Sequence, residues 1–580
     1  MSTLRKPALG PIVGHTTHKS CRLWISASEA LDDKNSAQDR RTIGIIGIVG
    51  KNGKVKPPDI FYFRLHREYD RSGTFNLGAD VSIGMAASEE LKVQPYRLEP
   101  ATTYWVRMAS LSLDDAYPDD SNVDDASIIS KLPPPKAWAD KLNLPRGLED
   151  AFSEAIFTTQ PAPPDSVSVM PLSFLLGSCR YPGLLWKRKE ADRIFGPMLK
   201  EALQEHLPEG ARRPVNFTLM VGDQIYADMF NRLVPIGLAD TYEEFQERYH
   251  TAFGSRNMRA FLSRVPTYMI LDDHEIEDNW TQDRLHQSRK NRSLFNVAIG
   301  AYMSYQWSHG PRFKDSYVHS LPAGEGEFLK RMQTLNLFYD FSCSGYPFFV
   351  LDTRTQRYKQ EDGLDDNHLL GKPALHEAEP SQLNRLCAWL RHMGQMRNNA
   401  PKFIVTSSVF LPNGVDEREG KNPGDSDSWA AFPKTRDAVL KTIVENRIEN
   451  VVFLSGDIHC SCISKLEFSG KGEGLTAYSI VSSAFYWPFS FADGDPAGYV
   501  HDSQDIRTRD EFELSGGLGK MNYKAWAFTQ DDNFCRIDVE PGTAELVVQM
   551  FDWDGAPVET RKQNDAYNHL PERLKLARWA

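Results

Sequence analysis

Five apolar runs in this 580-residue chain stop abruptly at side chains able to bind cations or anions. The run Leu219–Val221 ends in Gly222 and Asp223, with Tyr226 and Asp228 close behind. A carboxylate on a tight Gly-Asp turn has both oxygens free and can bridge two metal ions. Tyr226, three residues on, can turn back as a phenolate ligand to a hard ferric ion; a helix cap plus a core tyrosine is the other reading of this pair. Thr267–Leu271 runs into Asp272, Asp273, His274 and Glu275. One of those carboxylates can ligate while His274 faces a substrate or orients a neighbouring carboxylate. Val451–Leu454 leads to Asp457 and His459, spaced i and i+2, which on an extended strand share one face. They are either ligands or a buried hydrogen-bonded pair. Phe348–Leu351 ends at Asp352 and Arg354, and Arg354 can clamp a phosphate bidentately or pair with Asp352 or a nearby loop. Phe174–Leu176 ends at Cys179 and Arg180. Cys179 is a candidate thiolate ligand or a small buried hydrophobe; Arg180 has the same two readings as Arg354. Two cations about 3.5–4 Å apart at such a site would hold a hydroxide and stabilise a transferring phosphoryl group.

Carboxylates at strand tips imply an open α/β sheet, because such sheets bind ligands at the C-terminal ends of their strands. From about residue 170 the pattern alternates strands with helices, the helices expected at 187–206, 241–263, 281–308, 380–398 and 435–447. Asp531–Trp553 returns to β with a turn at Glu540–Thr543, and Leu574–Trp579 is expected as a short amphipathic helix. Residues 1–160 read as all-β, with short β-rich segments between Gly, Asn, Asp and Pro. Tyr96–Arg107 resembles the corner and strand of a fibronectin-type sandwich, in which a tyrosine such as Tyr104 pins the chain through its hydroxyl. Residues 113–150 form an acidic insertion with one short helix, and the Pro-rich 161–169 stretch is a stiff linker. The expected domains are therefore 1–160, a β-sandwich, and 170–580, the site-bearing domain.

Apolar residues make up 41% and charged residues 25%, as in globular proteins, and 580 residues exceed one core. A net charge of −11 argues against a nucleic-acid partner. No apolar run approaches a membrane span. Seven sparse cysteines and an N-terminus without an h-region point to a reducing, cytoplasmic setting, or to secretion if the chain is a processed form. Cys460 and Cys462 alternate with His459 and should point away from it; with no second ligand pair at suitable spacing they do not make a zinc knuckle. Trp186, Tyr486 and Trp487 either rim a pocket or pack in the core.

Gly177–Arg180, Gly222–Asp228, Asp272–Glu275 with Asn279 and Trp280, Leu351–Arg354 and Ser455–His459, in this order, resemble the alkaline phosphatase D (PhoD-like) family of calcineurin-like metallophosphoesterases. The resemblance covers roughly residues 170–490, and the preceding β-region matches the family's usual N-terminal domain. It implies a four-layer αββα metallophosphatase domain behind a fibronectin/Ig-like sandwich. It also implies a dinuclear Fe(III)–Ca(II) centre, with zinc or manganese as alternatives. Cys179, Asp223, Tyr226 and His459 would then hold the ferric ion, and Asp223, Asp273 and Asp457 would face the second cation. Arg180 and Asn279 are the substrate-binding candidates, Asn279 also a possible ligand, and His274 and Arg354 the catalytic ones. The implied activity is hydrolysis of small-molecule phosphate mono- or diesters by a metal-bound hydroxide. Two other classes compete: a non-catalytic sandwich-domain binding protein with a vestigial metal site, and a metal-dependent hydrolase of a non-phosphorus ester.

Overall fold

The computed structural model describes residues 3–27, 42–66, 69–78, 96–112, 132–144, 151–162, 165, 168–182, 189–228, 237–311, 335–359, 367–371, 381–415, 426–489, 495–503, 512–561, 567–568 and 570–579. Trp186 and most of the acidic insertion lie outside them. The chain forms two compact units, one of Met1–Ala162, Tyr242–Tyr268 and Gly300–Leu321, the other of Pro163–Thr241, Met269–Ile299 and Pro322–Ala580.

In the first unit, Thr3–Arg5, Thr103–Ser112, Thr42–Val49 and Val55–Arg64 form one sheet in that order, with Ser153–Thr158 also on Thr103–Ser112. Leu9–Thr16, Ser20–Ser26 and Ser72–Gly78 form a second. Alternate side chains of both meet in one core that includes Val13, Leu23, Ile25, Ile46, Phe63, Val106 and Phe157. The Tyr104 hydroxyl accepts the Glu99 N–H at 2.7 Å, the tie its position suggested. The helix expected over 241–263 is two helices, Tyr242–Phe253 and Arg256–Leu262. At the break, a Cβ on Gly254 would lie 2.4 Å from the His250 carbonyl oxygen.

Arg256–Leu262 packs on the strand Leu9–Thr16, and Arg259 donates to the carbonyls of Pro7 and Ala8 at 2.9 and 3.0 Å. Met258 and Phe261 are buried. Deleting residues 1–165 therefore strips the sheets from helices that belong to the same unit, and the fragment is expected to aggregate. A soluble, monodisperse 166–580 fragment on size-exclusion chromatography would contradict this.

The second unit is mixed α/β with two large sheets. One runs Thr267–Met269, Phe217–Met220, Leu172–Gly177, Asn533–Val539, Glu545–Asp552, Glu572–Lys575. The other runs Tyr339–Cys343, Tyr346–Val350, Lys402–Val405, Val451–Ser455, Thr476–Val481, Ser461–Phe468, Gly519–Thr529, Thr560–Arg561, Tyr567–Asn568. Tyr346–Val350 through Thr476–Val481 are parallel neighbours. Their unbroken apolar runs follow from burial on both faces. Side chains of the two sheets meet, with Phe174 edge-on to Phe348 and Phe403 at 5.6 and 5.5 Å. Helices Gln382–Gly394 and Pro433–Glu445 supply crossovers between parallel strands. Cys460 and Cys462 lie in the apolar core and, among the described residues, in none of the groups that could hold a metal ion.

The expected C-terminal helix is instead a strand, Glu572–Lys575, paired with Glu545–Asp552. Leu574 and Leu576 are buried while Arg573 and Lys575 are exposed, a period of two that an edge position on the sheet rewards. Among the described residues, no helix is long and apolar enough to cross a membrane.

Candidate metal centre

The apolar runs identified in the sequence become the strands Leu172–Gly177, Phe217–Met220, Thr267–Met269, Tyr346–Val350 and Val451–Ser455. Their ends meet closely. Gly222, at φ +106°, has no room for a side chain, since a Cβ would stand 2.5 Å from that of Asp272. Glu275 fastens the same junction. Its carboxylate accepts the backbone N–H groups of Asp223, Gln224 and Asp272 at 3.1, 2.7 and 2.9 Å.

Three sets of possible ligand atoms result, each within 4.8 Å of one another: Cys179, Asp223 and His459; Asp223, Asp273 and His274; and Asp223, Asp272, Asp273 and Asp457. Asp223 belongs to all three. Cys179 Sγ lies 3.3 Å from Asp223 Oδ2. The Tyr226 hydroxyl lies 3.5 Å from that same oxygen and 3.3 Å from His459 Nε2. Tyr226 also stacks on His274, with ring centroids 4.2 Å apart.

The backbone carries strain at these positions. Cys179, Asp223, Asn279, Asp457 and His459 all have positive φ, at 58°, 56°, 54°, 78° and 50°. Non-glycine residues occupy that region at a cost of about 1–3 kcal/mol each and persist only where their surroundings hold them. Asp457 and His459 thus do not share a face of an extended strand. The strand has ended at Ser455, and two left-handed residues around Ile458 send Asp457 to the carboxylate set and His459 to the cysteine set.

The protein alone neutralises this cluster poorly. Burial, then Cys179, Asp273, Asp272 and Glu275, raise Asp223 well above the usual carboxylate range. Burial and Asp272 do the same to Asp457. Asp272 is pushed to about 6 because burial outweighs its partner Arg354. Cys179 rises to about 12, chiefly through burial and then Asp457. His459 falls to about 3 through burial and the neighbouring His274, leaving a neutral imidazole. Asp223 Oδ1, Asp272 Oδ2 and His459 Nδ1 are buried without a hydrogen-bond partner. Orphaned buried polar atoms are rare in proteins, and three of them on two carboxylates and an imidazole fit bound cations, which would lower the raised carboxyl and thiol groups and keep the imidazole neutral.

His274 and Arg354 stand at the edge of the cluster. His274 Nδ1 is 2.8 Å from Asp228 Oδ1, and Asp228 Oδ2 accepts the Asp278 N–H at 2.6 Å. Burial disfavours the His274 charge, but Asp228 and Asp273 outweigh it and keep the ring protonated well above its ordinary range. Arg354, fully buried, donates Nε to Asp272 at 2.5 Å and a fork to Asp427 at 2.9 and 2.5 Å, and lies 3.3 Å from Asp273. Its three nitrogens are thus engaged by carboxylates, not by Asp352. Arg180, also buried, gives Nε to the Ala191 carbonyl at 3.2 Å and is outside the three ligand sets. Asn279 gives its N–H to Asp273 Oδ2 at 2.7 Å and its amide to Asp278 at 3.2 Å. Trp487 stacks on His459 at 3.7 Å and belongs with Tyr181, Tyr226, Tyr486 and Phe489 to a small aromatic cluster.

The sequence reading named Asp272, Asp228 and Glu275 without giving any of them a definite role, and did not name Asp427. The first three lie inside its motifs, where apolar periodicity says nothing of which carboxylate points where. Asp427 follows no apolar run, so no sequence signal marked it.

The family model of the PhoD-like phosphatases matches residues 204–492, which takes in every candidate except Cys179 and Arg180. Alkaline phosphatase D of Bacillus subtilis (strain 168) is 25% identical over 231 residues, 39% of this chain and 36% of that protein. The chain thus aligns with just over a third of that relative's length. A solved structure of PhoD superimposes with a TM-score of 0.56 at 16% identity, covering 96% of this chain and 93% of the other, a likeness of fold.

Proposed function

We propose that this chain, which belongs to the PhoD-like phosphatases, hydrolyses phosphate mono- or diesters at the Asp223 centre. The observation that carries the reading is the convergence of Asp223, Asp272, Asp273 and Asp457 on one buried point, beside Cys179 and His459, with unpartnered acceptor atoms among them. We read the site-bearing part of this mixed α/β chain as a four-layer αββα domain and the β-rich residues that precede it in sequence as a fibronectin-like sandwich. Seven buried, unpaired cysteines favour a reducing compartment.

Cys179, Asp223, Tyr226 and His459 would hold one cation, an iron(III) in our reading, and Asp223, Asp273 and Asp457 the second, a calcium. When bound, such a pair makes hydroxide available near neutral pH and stabilises charge on the phosphoryl group. Asp228 holds His274 through Nδ1, so the imidazolium presents Nε2 to the leaving-group oxygen and donates its proton there. Arg354 acts on Asp272 and Asp273, whose negative charge it offsets. Small phosphoesters are the substrates, and no nucleic-acid partner is called for.

Tyr226 tests the ferric assignment. Phenolate needs about pH 10 in water, but a trivalent cation at bonding distance favours the anion. A phenolate on iron(III) absorbs visible light, whereas zinc is d¹⁰ and gives no such band. The protein isolated in air is expected to be coloured, and Tyr226→Phe to shift or lose the band while Cys179→Ala alters it less. Colourless protein containing only zinc or manganese, with full turnover, would remove iron from the assignment and leave the phosphoesterase.

A further inference from the structure

Arg354 and Arg357 are both fully buried, at 0% side-chain exposure, and both close on one carboxylate. Arg354 donates its fork to Asp427, and Arg357 donates Nη1 to the same Oδ1 that Arg354 Nη1 reaches. Lys359, bonded through Nζ to the Ser426 carbonyl at 2.6 Å, adds a third positive charge acting on Asp427. Through Arg354, Asp427 is one guanidinium away from Asp272 and Asp273. Its side chain is 20% exposed against 0% and 6% for those two, so Asp427 is the carboxylate of this network that meets solvent. A fixed negative charge there opposes the approach of an anion to the centre.

We propose that Asp427 is a specificity-determining residue that selects substrate by charge; the inference rests on the phosphoesterase reading above. Coulomb repulsion scales with charge. The Asp427 carboxylate therefore penalises a dianionic phosphomonoester about twice as heavily as a monoanionic diester. Removing the Asp427 charge leaves the positive charges of Arg354, Arg357 and Lys359 less opposed at this position, so a repelling position becomes an attracting one.

The test compares kcat/KM for 4-nitrophenyl phosphate and bis(4-nitrophenyl) phosphate in the metal-loaded full chain near pH 8. In Asp427→Asn the diester-to-monoester ratio is expected to fall about tenfold, and inorganic phosphate to inhibit more strongly. Asp427→Glu, which keeps the charge, should keep the wild-type ratio. Lys359→Met, removing a partly exposed cation that offsets Asp427, should move the ratio the other way by about twofold. An unchanged ratio in folded, metal-loaded Asp427→Asn overturns the proposal. If that variant does not fold, an unchanged or lowered ratio in Lys359→Met overturns it. Metal-loaded wild type that hydrolyses neither ester defeats the phosphoesterase reading itself, a result distinct from active variants whose ratio stays fixed.

Discussion

Asp223→Asn is expected to remove metal and turnover together while the protein stays folded. Asp223 is the residue common to all three ligand sets, so an amide there weakens both cation positions at once. Each cation stabilises the transition state by several kcal/mol, and every 1.36 kcal/mol is tenfold in rate. Turnover should therefore drop by at least about a thousandfold. The fold should survive because Asp223 contributes a buried, repelled charge and no large apolar surface. Its carboxyl is held well above its ordinary range by burial and by four neighbouring acidic groups, so ionised Asp223 costs the metal-free protein stability. Metal-free Asp223→Asn is expected to melt no lower than metal-free wild type. Metal content, melting temperature and hydrolysis of a chromogenic diester on the same preparation check all three parts. A variant with normal metal and normal rate would take Asp223 out of the centre.

The strands behind this site were legible because burial on both faces turns a parallel strand into an apolar run with a hard edge. All five runs are strands, and each stops within a few residues of a candidate side chain. Chemistry at their tips was legible by residue type and only partly by geometry. The sequence contains Asp457 and His459 but not the left-handed conformations that send them to different ligand sets, since a non-glycine residue gives no warning of positive φ. The same limit hid the split between Asp272 and Asp273, adjacent residues that Arg354 grips through different nitrogens. The C-terminal segment was misread because six residues with two buried leucines fit periods of 2 and 3.6 almost equally, and the neighbouring strand decided between them. The helical stretch 241–263 was expected in place, though as one helix and not two, but its packing on a strand some 240 residues earlier is long-range information that a linear pattern does not hold.

Arg354→Met is expected to produce the largest loss of stability of any single change at the centre, and to produce it unequally with and without metal. Arg354 carries a charge that burial opposes and that Asp272, Asp273 and Asp427 more than restore. Removing it leaves those carboxylates without their shared partner, and leaves Arg357 as the remaining guanidinium bonded to Asp427. Breaking a buried ion pair from one side costs about 3–5 kcal/mol, because the stranded charge pays its desolvation uncompensated. Cations bound beside Asp272 and Asp273 would replace part of the lost attraction. Binding stabilises the folded state in proportion to affinity, so added metal should recover more stability in Arg354→Met than in wild type. Arg354→Lys, which keeps the charge but not the fork, should fall between the two. Denaturant midpoints measured in chelator and in excess metal give the comparison. Were Arg354 a substrate clamp instead, Arg354→Met would raise KM and leave the metal-free midpoint unchanged. That outcome would reverse the role assigned to it while keeping it in the site.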